Sequence, residues 1–161
     1  MRRTPAGGSR TAEGGGEMRE IKFRGKQLGS GEWVYGHFIK TKNHKDNCYI
    51  SQGDPYNDMG MMQGFVNVDP ETVGQSTGLK DNNGKEIYEG DIVEFTAYTK
   101  FREQSENRTE VVTYSCKPNG RVGFTPMVWH TDVEDDYYNY EIENIRIIGN
   151  IYENPELLEE K

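Results

Sequence analysis

Val68-Asp69-Pro70-Glu71-Thr72-Val73-Gly74-Gln75-Ser76-Thr77-Gly78-Leu79-Lys80-Asp81-Asn82-Asn83-Gly84-Lys85-Glu86-Ile87-Tyr88-Glu89-Gly90-Asp91-Ile92-Val93-Glu94-Phe95 is the stretch whose reading decides the fold. It reads as a short strand, a tight turn, and a second turn into a longer strand. Asp81-Asn82-Asn83-Gly84 holds residue types that tolerate positive φ, so the chain can reverse there. Glu89-Gly90-Asp91 is another turn signal, and Ile92, Val93 and Phe95 supply a β-rich apolar run after it. The stretch contains no obvious nucleophile, metal cage or phosphate cradle.

The residues before it repeat the same texture. Ile21 and Phe23 alternate with charged neighbours, as a half-buried strand requires. A turn at Gly29-Ser30-Gly31-Glu32 leads into the strand Trp33-Val34-Tyr35-Gly36-His37-Phe38-Ile39-Lys40, where Gly36 marks a bulge or a close backbone approach. Cys48-Tyr49-Ile50 and Phe65-Val66-Asn67-Val68 are further short strands, separated by a long loop over residues 52–64 that carries Met59, Met61 and Met62. Asp69 can cap one helical turn starting at Pro70, and an extended link is the alternative.

After Phe95 the pattern stays β. Residues 102–108 read as a charged loop, and Glu110-Val111-Val112-Thr113-Tyr114 as one strand. Pro118-Asn119-Gly120 reads as a hairpin turn answered by Arg121-Val122-Gly123-Phe124-Thr125, and Trp129 as the end of another strand. Ile145, Ile147, Ile148 and Ile151 mark a last core strand. Asn154-Pro155-Glu156-Leu157-Leu158 predicts a short terminal helix, with Asn154 as cap and Pro at the first helical position.

Composition agrees. With 161 residues the chain is one domain or two small units sharing a core. Ten Tyr, six Phe and two Trp make the apolar third of the sequence bulky, and 19 Gly favour short strands and tight turns. No apolar run approaches the roughly 20 residues needed to cross a membrane as a helix. Cys48 and Cys116 lie far apart, with no export signal before them, so reduced thiols and a cytoplasmic setting are expected. Residues 1–17 are rich in Gly, Ser, Thr, Ala and Arg and cannot bury enough surface to order themselves. They are expected to be a disordered or foreign leader, with Met18 as the natural start.

Charge is unevenly placed. Residues 1–17 carry three arginines against two glutamates, a balance of +1. Residues 18–129 carry 14 basic against 15 acidic side chains, and from residue 130 onward ten acids face two bases, a local −8. That tail disfavours binding of nucleic acid through bulk charge.

Few residues offer chemistry. His37, His44 and His130 are the only histidines, and His44 with Cys48 supplies two of the four ligands a structural zinc site normally uses. An ordinary loop is the preferred reading. Asp132, Glu134, Asp135 and Asp136 lack the spacing of a calcium loop and read as a solvated acidic segment. Glu86, Glu89 and Asp91 flank a turn and read as solvent-facing acids rather than acid–base catalysts. Gly74, Gly78, Gly84 and Gly90 match no phosphate-binding spacing. No catalytic residue, cofactor or metal is therefore expected. Trp33, Tyr35, Trp129, Tyr137, Tyr138 and Tyr140 are the candidate interaction surface, because exposed aromatics on a β-fold anchor protein interfaces or stack bases. Packing in a core poor in Leu is the competing reading for the tryptophans.

Four blocks carry a resemblance: Ile21-Lys22-Phe23-Arg24-Gly25-Lys26; Trp33-Val34-Tyr35-Gly36; Thr72-Val73-Gly74-Gln75-Ser76-Thr77-Gly78-Leu79-Lys80-Asp81 with Asn83-Gly84-Lys85-Glu86-Ile87-Tyr88-Glu89-Gly90-Asp91-Ile92-Val93; and Ile147-Ile148-Gly149-Asn150-Ile151-Tyr152-Glu153-Asn154-Pro155-Glu156-Leu157-Leu158. In this order the chain resembles the YopX family, encoded by phages and prophages of Gram-positive bacteria. The resemblance implies a mostly β fold with a small SH3-like barrel, a bacterial host cytoplasm and self-association. It brings no reaction and no catalytic residues.

The expected architecture is mainly β with minor α. A β subdomain spans 18–66, the SH3-like barrel spans 67–152, and a short helix or tail spans 153–161. The expected function is a non-enzymatic phage accessory module that binds itself or a host or phage protein, with no membrane contact. The alternatives are a nucleic-acid-binding module using Lys80, Lys85, Lys100, Arg102 and Arg108, and a carboxylate-dependent hydrolase or nuclease.

Overall fold

A computed structural model describes residues 20–42, 47–53, 56–61, 63–98, 105–116, 122–126 and 141–159. The fold is mainly β, as expected. Four strands come from the first half: β1 (Phe23–Lys26), β2 (Trp33–Lys40), β3 (Cys48–Ser51) and β4 (Phe65–Val68). Seven follow: β5 (Gly74–Lys80), β6 (Glu86–Tyr88), β7 (Asp91–Tyr98), β8 (Ser105–Val111), β9 (Thr113–Cys116), β10 (Val122–Thr125) and β11 (Glu141–Asn150).

One six-stranded sheet runs in the order β4-β3-β2-β1-β5-β6, and β11-β7-β8 and β10-β9 form two smaller antiparallel sheets. The first four strands also curl back on themselves. Gln27, just past β1, bridges Val68 at the end of β4. Leu28 N donates to Asn67 O at 3.0 Å, and Asp69 N to Lys26 O at 2.8 Å. Lys26, at the end of β1, thus serves both sides of this curl. The sheet is continuous across residues 66 and 67, because β1 pairs with β5 through Phe23 and Gln75.

Each half has its own core. Val34, Cys48, Ile50 and Val68 are buried together under Phe23, Phe38, Val66 and Val73. Ile87, Val93, Phe95, Ala97, Val112 and Phe124 form the second core, capped by Ile142, Ile145 and Ile147 from β11. The alternation Ile92–Val93–Glu94–Phe95–Thr96–Ala97 follows the two-residue period of a strand from Val93 onward, placing Val93, Phe95 and Ala97 on one side. The arrangement around this second core is compatible with the expected small SH3-like barrel.

Gly36 has the close approach expected of it. A Cβ built there would fall on the backbone carbonyl oxygen of Ser51 across the β2–β3 pairing. Asp69 caps a 3-10 turn at Pro70–Thr72, its Oδ1 accepting from Glu71 N at 3.0 Å, so the capped turn is formed rather than an extended link.

Three local expectations are corrected. Residues 105–108 belong to β8 rather than a loop, because β7 offers a full ladder from Ile92 to Tyr98 for them to pair with. The single strand expected over 110–114 is broken at Val112, whose N–H and C=O turn to Asp91 O and Gly90 N instead of continuing the ladder. The terminal helix is a 3-10 helix, Pro155–Leu158, and Asn154 makes no side-chain cap to it. Its Oδ1 faces Asn150 N at 3.4 Å instead. The hairpin turn at 118–120 and the strand end at Trp129 lie outside the described residues.

Candidate functional site

Asp81 shows how a turn becomes an anchor. Its Oδ1 accepts from Asn83 N at 2.8 Å and Lys85 N at 2.9 Å, and its Oδ2 accepts from Ile147 N of β11 at 3.2 Å. The Asx geometry fixes the β5–β6 turn and ties it to the last strand. Burial pushes the Asp81 carboxyl up, but the three backbone N–H donors outweigh it and hold the carboxyl below its ordinary value of 3.8. The folded value is the lower one, so this contribution is complete above pH 3.8 and disappears as the pH falls through the folded value. Chemical melts between pH 2.5 and 5 are expected to show an acid-side loss of stability that is shallower in Asp81→Asn. Equal slopes would rule out this assignment.

Where the two halves meet, Arg24 on β1 is 4% exposed and Asp91, opening β7, is 1% exposed. Arg24 Nη1 donates to Asp91 Oδ1 at 2.6 Å, and Nη2 to Glu89 O at 2.9 Å. Asp91 Oδ2 accepts from Tyr88 N at 2.8 Å. Burial pushes the Asp91 carboxyl up, and the Arg24 guanidinium is the first influence pulling it back. The reading of Asp91 as a solvent-facing turn acid is therefore corrected: Gly90 turns the chain at φ 80°, which sends the carboxylate inward to the Arg24 guanidinium. Glu89 is half-buried and accepts from Gln75 N at 3.0 Å and Tyr114 N at 3.2 Å. Glu86 is half-buried and accepts from the Tyr88 hydroxyl at 2.7 Å.

Aromatic rings frame the guanidinium. Its carbon lies 4.6 Å from the Trp33 ring centre and 5.2 Å from that of Tyr88, within cation–π range on both. Trp33 packs on Tyr152 at 5.7 Å, and its indole N–H donates to Glu153 Oε1 at 3.0 Å. Lys26 Nζ reaches the same oxygen at 3.0 Å. Asn150 first, then Lys26, holds the Glu153 carboxyl below the ordinary range. Trp33 thus joins the two halves, half-buried and hydrogen-bonded.

Beside this joint lies an open cleft of about 350 Å³, lined by Lys22, Arg24, Tyr35, Gly36, Lys85, Glu86 and Tyr88. Tyr35 is 44% exposed and meets Tyr88 edge-on at 5.5 Å. Burial raises the Tyr35 phenol, and burial followed by the Glu86 bond raises that of Tyr88, so both rings stay neutral donors at ordinary pH. Lys22 is shared between Glu20 at 3.3 Å and Glu86 at 3.5 Å.

Of the six aromatics proposed as a surface, Trp33 and Tyr35 are neighbours of Arg24, while Trp129, Tyr137, Tyr138 and Tyr140 lie outside the described residues. His44, His130 and the acids from Asp132 to Asp136 also lie outside them. Among the described residues no three His, Cys, Asp or Glu side chains gather to hold a metal ion. Among the same residues no helix is long and apolar enough to cross a membrane. The basic set is dispersed: Lys80 and Lys85 flank the Asp81 turn, Arg108 on β8 is paired with Glu106, and Lys100 and Arg102 are not described. Sequence reasoning missed Arg24 and Asp91 as partners. They stand 67 positions apart, and no local spacing joins them.

No curated protein matches the chain. A solved structure, that of protein EF1440 from Enterococcus faecalis, is 25% identical, covering 86% of this chain and 98% of its own, with a TM-score of 0.45. The first three blocks of sequence named above meet at one place, around Arg24, Trp33, Tyr88 and Asp91. The fourth closes over them with Tyr152 and Glu153. A family model described as YopX protein matches residues 22–159, which takes in all of these contacts, and the chain belongs to the YopX family.

Proposed function

We propose that the chain is a non-enzymatic interaction module, a phage or prophage accessory protein acting in the host cytoplasm on a second copy of itself or on a host or phage protein. The observation that carries this reading is Tyr35. It stands 44% exposed at the mouth of an open cleft, with its ring held by Tyr88 and its strand held by the Arg24 joint. A rigid, amphipathic ring on a fixed strand loses little conformational freedom on binding, which is why tyrosines dominate protein contact surfaces. The charged groups beneath it are committed to one another, which suits a scaffold better than proton transfer.

The test compares full-length protein with Tyr35→Ala. Light scattering across a range of concentration gives the mass against the 18.5 kDa monomer, and a host lysate supplies candidate partners. Tyr35→Ala is expected to weaken the assembly or the captured partner at least about tenfold, as loss of an anchor residue does. A wild-type protein that stays monomeric and retains nothing, or a variant that behaves identically, would overturn the proposal. Retention on single-stranded DNA that weakens steeply with salt would favour the nucleic-acid reading instead.

A further inference from the structure

The cleft has more hydrogen-bond donors than its own acceptors answer. Its acceptors are occupied: Glu86 serves Lys22 and the Tyr88 hydroxyl, and Asp91 beneath it serves Arg24 and the Tyr88 amide. Three donors remain without a partner among the described residues. The Lys85 ammonium acts on the Asp91 carboxyl through space without an ion pair to it, the Tyr35 hydroxyl has no hydrogen bond, and the Arg24 Nε is buried and unbonded. The rest of the lining is largely ring surface from Tyr35 and Tyr88.

From this imbalance we infer that the cleft docks an acidic segment of a partner protein, presenting one carboxylate next to an apolar side chain. The carboxylate accepts from the Lys85 ammonium and the Tyr35 hydroxyl, and the apolar neighbour lies on the Tyr35–Tyr88 edge. Charge complementarity carries the choice of partner. The cleft offers free donors and no free carboxylate, so a basic segment finds no partner there and a neutral acceptor is bound less strongly than a charged one. A single carboxylate also suits a chain of net charge −8 better than the phosphate run of a nucleic acid does. The inference rests on Tyr35 being a contact residue and adds the chemistry of what it contacts.

Capped Gly-Glu-Leu-Gly and Gly-Gln-Leu-Gly peptides, titrated into full-length isotope-labelled protein, test it by amide shifts. The glutamate peptide is expected to move Lys22, Tyr35, Gly36 and Lys85 selectively and to bind about tenfold more tightly than its glutamine twin. Lys85→Met and Tyr35→Phe each remove one donor and leave most of the apolar side chain in place. Each is expected to weaken the glutamate peptide about threefold and to leave the glutamine peptide unchanged. Equal binding of the two peptides, shifts centred elsewhere, or tighter binding of an eight-nucleotide oligo-dT at these amides would overturn the inference. If the peptides fail while Tyr35→Ala still loses its partner, the contact role of Tyr35 stands and the acidic chemistry falls. If the glutamate peptide binds at the cleft while Tyr35→Ala keeps its partner, the converse holds.

Discussion

Arg24→Met is expected to destabilise the protein by about 3–5 kcal/mol, because it leaves the Asp91 carboxylate buried without its cation. The side chain that goes is 4% exposed, and the one it abandons is 1% exposed, so water cannot replace the lost bonds without opening the joint. The Trp33 and Tyr88 rings also lose the guanidinium between them. Arg24→Lys is not a rescue, since one ammonium cannot serve Asp91 and the Glu89 carbonyl while lying flat on a ring. Urea unfolding with an unchanged slope is the measurement. The double variant Arg24→Met/Asp91→Leu is expected to cost clearly less than the sum of the single changes, since it leaves no orphan charge. The exposed pair Arg146–Glu94, with a bond of 2.7 Å, serves as the control, and its removal is expected to cost about 1 kcal/mol or less. A loss of that size for Arg24→Met would show that the buried pair is no more than a surface bridge.

Gly36→Ala is the second large effect, expected at about 3 kcal/mol. The new methyl group falls on the Ser51 carbonyl oxygen, a backbone atom with no rotamer to move into. Relief requires β2 and β3 to part where His37 faces Ser51 and Phe38 faces Ile50. Ile50 is fully buried at the centre of the first core, so the parting opens that core to water. Gly31→Ala, at a turn with open space around it, is the contrast and is expected to cost only the strain of its φ of 72°. A thermal melt of Gly36→Ala indistinguishable from wild type would show that the sheet yields there without cost.

The β character of the chain was legible because it is written locally. Alternation of Ile21 and Phe23 with charged neighbours, β-branched and aromatic runs in β2 and β7, and the Asp81–Gly84 turn each carry their own signal. Gly36 could be marked as a close approach from its place inside a strand, although Ser51 as the neighbour could not. The break at Val112 was invisible, since four β-formers in a row say nothing about where hydrogen bonds change partners. Residues 105–108 looked like a loop by charge, yet an edge strand with one face in water can carry Glu106 and Arg108 without penalty. The joint was the least legible part. Glu86, Glu89 and Asp91 look alike in sequence, and only the fold shows that one faces a guanidinium, one holds two strand amides and one borders the cleft. Trp33 offered two readings, core or surface, and it occupies a third position between two cores.

β1 is four residues long, yet it pairs with β2 and β5, abuts the end of β4, and supplies Arg24 to the opposite half. Neither core can therefore lose β1 and keep its edges satisfied. Cooperativity follows: the two cores have separate side chains but share one strand, so they are expected to melt in a single transition. A nick after Gly60 would leave two pieces that stay associated, whereas a protein beginning at residue 67 would carry Asp91 and the β5 edge bare into solvent.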